Sequence, residues 1–120
     1  PVAAAVTITI AGSAVQDVVF MDAPELSGSG KNFLDKYRAT YGTDPVNEYD
    51  AAARYDSVFI LSNAFRQCND DTTCIKNFLY NMDWYNGTMG RYKFDQNGDV
   101  VGIDFALKVV QNGSFVIYIE

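Results

Sequence analysis

Acidic side chains next to tyrosines form the arrangement in this sequence that is best suited to chemistry. Glu48, Tyr49 and Asp50 stand together at the start of an alanine-rich segment, and Tyr55 follows shortly after. A tyrosine ring can stack on an apolar ligand while a neighbouring carboxylate accepts hydrogen bonds from an amine. The cluster is therefore a candidate binding site. The residues alone favour the alternative, in which Tyr49 and Tyr55 are aromatic residues at the edge of the core.

Paired carboxylates are a second pattern with possible chemistry. Asp22 with Glu25, and Glu48 with Asp50, have the spacing of general acid–base pairs. Fifteen acidic residues in a chain of 120 make such pairs common, and the surface interpretation is favoured. The sequence has no histidine, which excludes Ser-His-Asp and Cys-His nucleophilic sites. We therefore predict a protein that is not an enzyme and that uses no cofactor.

The two cysteines, Cys68 and Cys74, lie at the ends of a short polar segment. This position favours a disulfide, which would close a small loop and indicate an oxidising compartment. Two free thiols are the alternative. A zinc site is not expected, because the sequence has no histidine and no third cysteine to complete a ligand set.

Asp95, Asn97 and Asp99 have the spacing of the first ligands in a calcium-binding loop. Glycine stands at the fourth place of this segment instead of the sixth, and Ala106 takes the place of the required glutamate. We therefore predict a turn. No metal site is expected.

Length and charge limit the function further. A chain of 120 residues with 48% apolar residues is long enough for one domain with its own core. The formal net charge is −6, and no two basic residues are adjacent, so nucleic acid is not an expected partner. The first residues lack the positive charge of a signal peptide. The expectation is that a signal has been removed or that these residues continue a longer chain.

The N-terminal half of the chain is predicted to contain strands and helices that position these residues. Residues 6–10 alternate between apolar and polar, and residues 18–21 form a short apolar run. Both segments therefore predict strands, the second buried on both faces. Residues 31–41 predict a helix that ends at Gly42 in a left-handed cap. A longer helix is predicted from about residue 49 to 67, as the most buried helix, with the apolar stripe Ala52, Tyr55, Val58, Phe59, Leu61, Ala64 and Phe65.

The C-terminal half changes from helical to strand periodicity. A third helix is predicted from a cap at Thr72 or Thr73, with fraying near Asp83. After it, the segments 91–94, 100–110 and 115–119 alternate, and turn signals at 97–98 and 112–113 separate them. This pattern predicts an antiparallel β-meander. Asn86 and Asn112 also fit the glycosylation acceptor pattern, but both are better interpreted as turn residues.

The order of these parts resembles one family over about four-fifths of the chain. The resemblance lies in residues 33–42 with Pro45 after them, in the alanines and Tyr55-Asp56-Ser57-Val58 of the long helix, in the cysteine loop before a helix, and in residues 90–99. Taken together they resemble the C-terminal portion of the type I periplasmic solute-binding proteins of ABC transporters, in the branch of the leucine/isoleucine/valine-binding proteins. The fold class expected from this resemblance is α/β, as a partial lobe with about three helices, N-terminal strands and the C-terminal meander.

The resemblance also implies a function. In such proteins two α/β lobes close over a small solute at a hinge of crossing strands, and a membrane ABC permease takes up the solute. It implies an amino acid or similar small polar solute, no catalysis, and a periplasmic or extracellular location, with or without a lipid anchor on the parent. The residues that match the family's cleft are Asp22 at a strand exit and Glu48, Tyr49 and Asp50 at a helix start, with Tyr49 stacking and an acid pairing with an ammonium.

The chain departs from the family in its length, since such proteins are about three times as long. The chain is therefore expected to be one domain or fragment, residues 1–120, that lacks a complete site by itself and exposes strand edges through which it could self-associate. A stand-alone α+β interaction domain without a small-molecule ligand is the alternative function.

Overall fold

The computed structural model describes residues 9–119. These residues fall into two compact units. One contains the described residues up to Pro24 and those from Asp104 onward, and the other contains Glu25–Ile103. The regular elements, in chain order, are β1 (Val19–Asp22), α1 (Ser29–Tyr41), α2 (Glu48–Cys68), α3 (Thr72–Tyr80), β2 (Tyr85–Asn86), β3 (Arg91–Phe94), β4 (Val100–Val101), β5 (Ala106–Gln111) and β6 (Ser114–Ile117).

A three-stranded antiparallel sheet forms the centre of the first unit, with the strand order β1-β5-β6. The β5–β6 connection is the predicted Asn112-Gly113 turn, in which both residues have positive φ, 51° and 73°. Two successive positive φ angles match the right-handed twist of the flanking strands. Phe20 packs edge-to-face on Phe115 at 5.1 Å between ring centroids, and Val109 and Val110 are buried. The paired aromatic rings and the buried valines stabilise this sheet.

The N-terminal strand predictions need correction. The run at residues 18–21 does form a strand, but β1 lies at an edge of its sheet, and Val19 and Met21 are 44% and 71% exposed. The prediction that it is buried on both faces is therefore wrong for the described chain. Of the predicted strand at residues 6–10, residues 6–8 lie outside the described part of the chain, while Thr9 and Ile10 are helical and a 3-10 turn follows at Gly12–Val15.

The predicted C-terminal meander is divided between the two units. Strands β2, β3 and β4 form a sheet of their own, whereas β5 pairs with β1 on one side and with β6 on the other. The long run at residues 100–110 is interrupted because Gly102 has φ of +99°, and a Cβ there would collide with the Trp84 ring and the Arg91 carbonyl. Trp84 also lies 4.8 Å from the Arg91 guanidinium carbon, measured to the ring centroid. The close approach of this ring therefore ends β4 early.

The three helices of the second unit match their predictions closely. Gly42 ends α1 in the left-handed region, with φ of 72°, and donates its N–H to the Arg38 carbonyl. The N-cap of α3 is Asp71, which accepts from the N–H groups of Thr73 and Cys74 at 2.9 and 3.0 Å, so the predicted cap at Thr72 or Thr73 is wrong. No helix among residues 9–119 is long and apolar enough to cross a membrane.

The disulfide prediction is confirmed. Cys68 at the end of α2 is bonded to Cys74 in the first turn of α3, with the two Cα atoms 5.5 Å apart. Cys68 is buried. The bond therefore fixes the turn between these two helices from its inner side.

The core of the second unit differs from the predicted stripe on α2. The buried positions of α2 recur every four residues: Ala52, Asp56, Ile60, Ala64 and Cys68. This helix has more buried positions than α1 or α3, as predicted. Within the predicted stripe, however, Tyr55, Val58, Phe59, Leu61 and Phe65 are 39–65% exposed. Small alanines face inward because they permit close packing of α2, and the polar Asp56 is buried because it has hydrogen-bond partners.

Candidate functional site

The start of α2 carries three of the residues predicted to bind a ligand. Asn47 caps this helix, since its side-chain oxygen accepts the Asp50 N–H at 3.1 Å. Glu48 and Asp50 in the first turn are exposed. Two carboxylates at a helix N-terminus interact favourably with the helix dipole, and they make this end of α2 acidic.

Tyr49 lies between the exposed acids and the core. It packs against a buried cluster that includes Leu26, Phe33 and Ala52. Burial, followed by the negative charge of Asp56, raises the pKa of the Tyr49 phenol. The hydroxyl therefore stays protonated at neutral pH and can donate a hydrogen bond. Half-burial against the cluster limits the movement of the ring.

A buried carboxylate holds the loop that follows β2 against α2. Asp56 is 1% exposed. Its Oδ1 accepts the Thr88 N–H at 2.8 Å and lies 2.9 Å from the Thr88 hydroxyl, and its Oδ2 accepts from the Met89 N–H and the Tyr92 hydroxyl, both at 3.2 Å. The Thr88 hydroxyl also lies 3.0 Å from the Ala52 carbonyl, so its one proton is shared between two acceptors. This network satisfies the buried charge.

The same loop is held from the other side by the start of α1. Ser29 donates its hydroxyl to the Gly87 carbonyl at 2.6 Å. A Cβ on Gly87 would collide with the Asp56 carboxylate, and a Cβ on Gly30 would lie 2.5 Å from the Thr88 carbonyl oxygen. Glycine is therefore required at both contacts. The starts of α1 and α2 and the loop at residues 87–90 thus form one connected assembly beside Tyr49.

Two further tyrosines belong to this assembly. Burial and the nearby Asp56 charge raise the pKa of both Tyr85 and Tyr92. Tyr92, which is 2% exposed, donates to Asp56, and its ring packs edge-to-face on Tyr85 at 5.6 Å between centroids. Both phenols therefore remain neutral donors at physiological pH.

Asp56 and Thr88 were not among the predicted site residues. A signal for Asp56 was present, because an acid stands four residues from Ala52 and four from Ile60, on the face of α2 that proves to be buried. An acid on such a face requires partners. Thr88 carries no comparable signal, since a threonine after Asn-Gly is also typical of an ordinary turn.

The fourth predicted ligand residue, Asp22, lies in the other unit, at the end of β1. Its Oδ2 accepts from the Lys108 Nζ at 3.0 Å, and its Oδ1 accepts the Ala23 N–H at 2.9 Å. Burial raises the pKa of this carboxyl group, but the hydrogen bonds from Lys108 and Ala23 outweigh burial and leave the pKa below its usual value. Asp22 is therefore an ionised and already partnered carboxylate.

The acid-rich loop at residues 95–99 is the predicted turn. Asp95 Oδ1 accepts the N–H groups of Asn97 and Asp99 at 2.8 and 2.9 Å. These bonds, with Asp99 first, lower the pKa of Asp95. Among residues 9–119, no cluster of three or more histidine, cysteine or acidic side chains has the placement to hold a metal ion.

A concavity of about 530 Å³ lies between α1 and α2 in the second unit. We call it the α1–α2 groove. Its lining contains four aromatic residues and two cations: Phe33, Lys36, Tyr37, Thr40, Tyr41, Ala51, Arg54, Tyr55 and Val58. Glu48, Tyr49 and Asp50 are not part of this lining. The groove and the predicted ligand residues are therefore separate features of the unit.

Solved structures of transport proteins are similar to this chain. The leucine-binding protein LivK of Thermotoga maritima aligns with 96% of the chain at a TM-score of 0.73 and 26% identity. A putative branched-chain amino acid ABC transporter of Rhodospirillum rubrum aligns with 95% of the chain at a TM-score of 0.63 and 25% identity. A substrate-binding protein of Desulfitobacterium hafniense, solved in complex with Leu, aligns with 97% of the chain at a TM-score of 0.65 and 22% identity. An identity this low supports the fold alone.

These structures confirm the resemblance to part of a periplasmic solute-binding protein and the partial α/β lobe expected from it. The chain spans 33–39% of the length of the three proteins. Comparisons with protein-family models and with curated proteins give no match.

Proposed function

We propose that this chain is the C-terminal part of an extracytoplasmic solute-binding protein for ABC-type uptake. The proposed solute is an amino acid or a similar small polar molecule. It is enclosed when the lobes of the longer parent protein close at their hinge, and a membrane ABC permease receives it. The chain by itself lacks a complete site, and the proposed role includes no catalysis.

The observation that carries this proposal is the similarity to the leucine-binding protein of Thermotoga maritima over 96% of the chain. An alignment of that extent includes the helices, both sheets and the loop held by Asp56. It supports a solute-binding role for the protein to which the chain belongs. A sequence identity of 26% does not show that the two proteins bind the same solute, so leucine itself is not proposed.

The start of α2 provides the proposed contacts in the second unit. Glu48 and Asp50 are exposed acids that would attract the ammonium group of an amino acid. Tyr49 would place its ring against the apolar part of the solute, because the core cluster holds it in a fixed orientation. Its protonated hydroxyl would add one hydrogen bond. The Asp56 network supports these contacts by fixing the loop next to the helix start.

Asp22 is the proposed contact in the first unit. Its carboxylate already accepts from Lys108 and Ala23, so a solute ammonium group would share this acceptor with the lysine. We therefore expect Asp22 to contribute less binding energy than the acids of α2. Its removal would also leave Lys108, whose side chain is 16% exposed, without the Asp22 carboxylate.

The test separates binding from folding in the gene product isolated from its native source. Thermal unfolding is measured with a panel of amino acids, peptides and small organic acids, and a solute present at 100 times its dissociation constant should stabilise the protein by about 2.7 kcal/mol. Tyr49→Ala should weaken binding of that solute more than it lowers stability, and Tyr49→Phe should retain the stacking contact. Lost stability with unchanged affinity would place Tyr49 in the core only.

Failure of every solute in the panel would favour the alternative function, a stand-alone interaction domain. The exposed apolar residues of α2 are the observation that supports this second candidate. In that case the Tyr49 variants would change stability alone, and a protein partner would have to be sought.

A further inference from the structure

The α1–α2 groove has the chemistry of a docking surface for a helix. Its lining includes a continuous series of aromatic contacts: Tyr41 to Tyr37 at 4.6 Å, Tyr37 to Phe33 at 6.1 Å and Phe33 to Tyr55 at 5.0 Å between ring centroids. Tyr41 is nevertheless 66% exposed and Val58 65% exposed. Large apolar side chains that lie together and open to solvent are typical of an interaction surface.

The apolar surface continues beyond the groove along α2. Phe59 and Phe65 are 47% and 52% exposed. The distance along the helix from Tyr55 to Phe65 is about 15 Å, since each residue adds 1.5 Å. This helix is therefore apolar on its inner side and on much of its outer side, a pattern typical of a helix that is covered on both sides in its working context.

Two cations stand at the edge of the groove without an ion-pair partner among residues 9–119. Lys36 and Arg54 are both exposed, and neither makes an ion pair there. Arg38 is already paired with Asp35 and Asp44, and Lys108 is paired with Asp22. An occupant with acidic side chains beside its apolar stripe would complement this edge.

The same charges argue against a second copy of the chain. In a symmetric dimer the same patch would face itself, which would bring Lys36 and Arg54 of one copy close to those of the other. Like charges placed opposite each other are destabilising. An occupant of different sequence is therefore favoured.

We infer that the α1–α2 groove receives an amphipathic helix with an acidic edge, and that the part of the longer parent protein that this chain does not span supplies this helix. The source of the helix rests on the proposed function, because the similar solute-binding proteins are about three times as long as this chain. The docking is of the helix-in-groove type, in which side chains at i, i+3, i+4 and i+7 enter the groove.

Peptide binding tests the chemistry of the groove. The probe is a labelled synthetic peptide of about 14 residues, about 21 Å as a helix, with leucines along one stripe and glutamates on both flanks. Its control has lysines in place of the glutamates. Fluorescence anisotropy with the 120-residue chain should show binding of the glutamate peptide about tenfold tighter than the lysine peptide, because two charge pairs form.

Charge reversal provides the matched variants. The double variant Lys36→Glu with Arg54→Glu should reverse the preference between the two peptides. Lys31→Glu changes the net charge of α1 as Lys36→Glu does, but Lys31 lies outside the groove lining, so the preference should persist. Equal binding of both peptides, or an equal effect of Lys31→Glu and Lys36→Glu, would overturn the inference.

The source of the helix is tested with the gene product from its native source. The glutamate peptide should bind this protein at least about tenfold more weakly than it binds the 120-residue chain, because the groove is already covered. Equal binding to both would overturn the inference. A dimer of the 120-residue chain in sedimentation equilibrium that Val58→Asp disrupts would assign the groove to a second copy and would also overturn it.

This test is independent of the test for solute binding. A native protein that binds a solute but leaves the groove open to the peptide contradicts only the docking inference. One that excludes the peptide but binds no solute contradicts only the proposed function.

Discussion

Replacement of Asp56 by alanine should remove a large part of the stability of the second unit. The carboxylate accepts hydrogen bonds from the Thr88 and Met89 N–H groups and the Tyr92 hydroxyl, besides its contact with the Thr88 hydroxyl. In Asp56→Ala the two N–H groups and the phenol lose their acceptor in a region from which water is largely excluded. At roughly 1.5 kcal/mol for each of these three donors, the loss is about 4.5 kcal/mol. Domains of this size are stable by only about 5–15 kcal/mol.

Urea unfolding followed by circular dichroism measures this loss. With a slope of about 2 kcal/mol per molar urea, the midpoint should fall by about 2 M. Asp56→Asn retains one acceptor oxygen and should lose about half as much. Asp70→Ala removes an exposed acid from the turn between α2 and α3 and should change the stability by less than about 0.5 kcal/mol. A loss below about 1 kcal/mol for Asp56→Ala would refute the assignment of Asp56 as the residue that holds the loop.

Three further perturbations test other parts of the structure. Cys68→Ser should lower the melting temperature by roughly 10 °C without reductant, since closing so short a loop contributes about 2 kcal/mol, and by much less with reductant; an equal shift in both conditions would contradict this role of the disulfide. Gly87→Ala should destabilise by more than about 2 kcal/mol in the same urea assay, because its Cβ would collide with a buried carboxylate, and near-normal stability would disprove that contact. Asp22→Asn should destabilise most above pH 4, and its effect should shrink as the pH falls below 3.8. The folded-state pKa of Asp22 is lowered from 3.8, so the Lys108 pair stabilises fully above the unfolded pKa and is lost as the pH falls through the lower folded value. A destabilisation that stays constant as the pH is lowered from about 6 until Asp22 is protonated in the folded protein would contradict the ion pair with Lys108.

Local signals in the sequence were sufficient for the helices and the turns. Helical spacing with Gly42 after it predicted α1, and the Asn112-Gly113 pair predicted the β5–β6 hairpin. These signals work because positive φ angles and helix ends depend on one or two residues. The disulfide between Cys68 and Cys74 was predictable for the same reason, since its partners are six positions apart.

The sequence-based predictions were wrong where contacts between residues far apart in the chain determine the structure. The pattern of α2 could not show which of its two apolar faces is buried in this chain, because that depends on where Asp56 finds its partners, 32 to 36 residues away. The interruption after β4 depends likewise on the approach of Trp84 to Gly102. For the same reason the residues alone named Tyr49 as a candidate contact but could not identify the loop that supports it.

The measurement that tests the central claim most directly is the intact mass of the gene product from its native source, taken without reduction. If the chain is part of a two-lobed solute-binding protein, the mass should be about three times the 13.3 kDa of this chain, as the lengths of the similar proteins require. A mass close to 13.3 kDa would contradict the claim and leave the stand-alone interaction domain as the function of this chain.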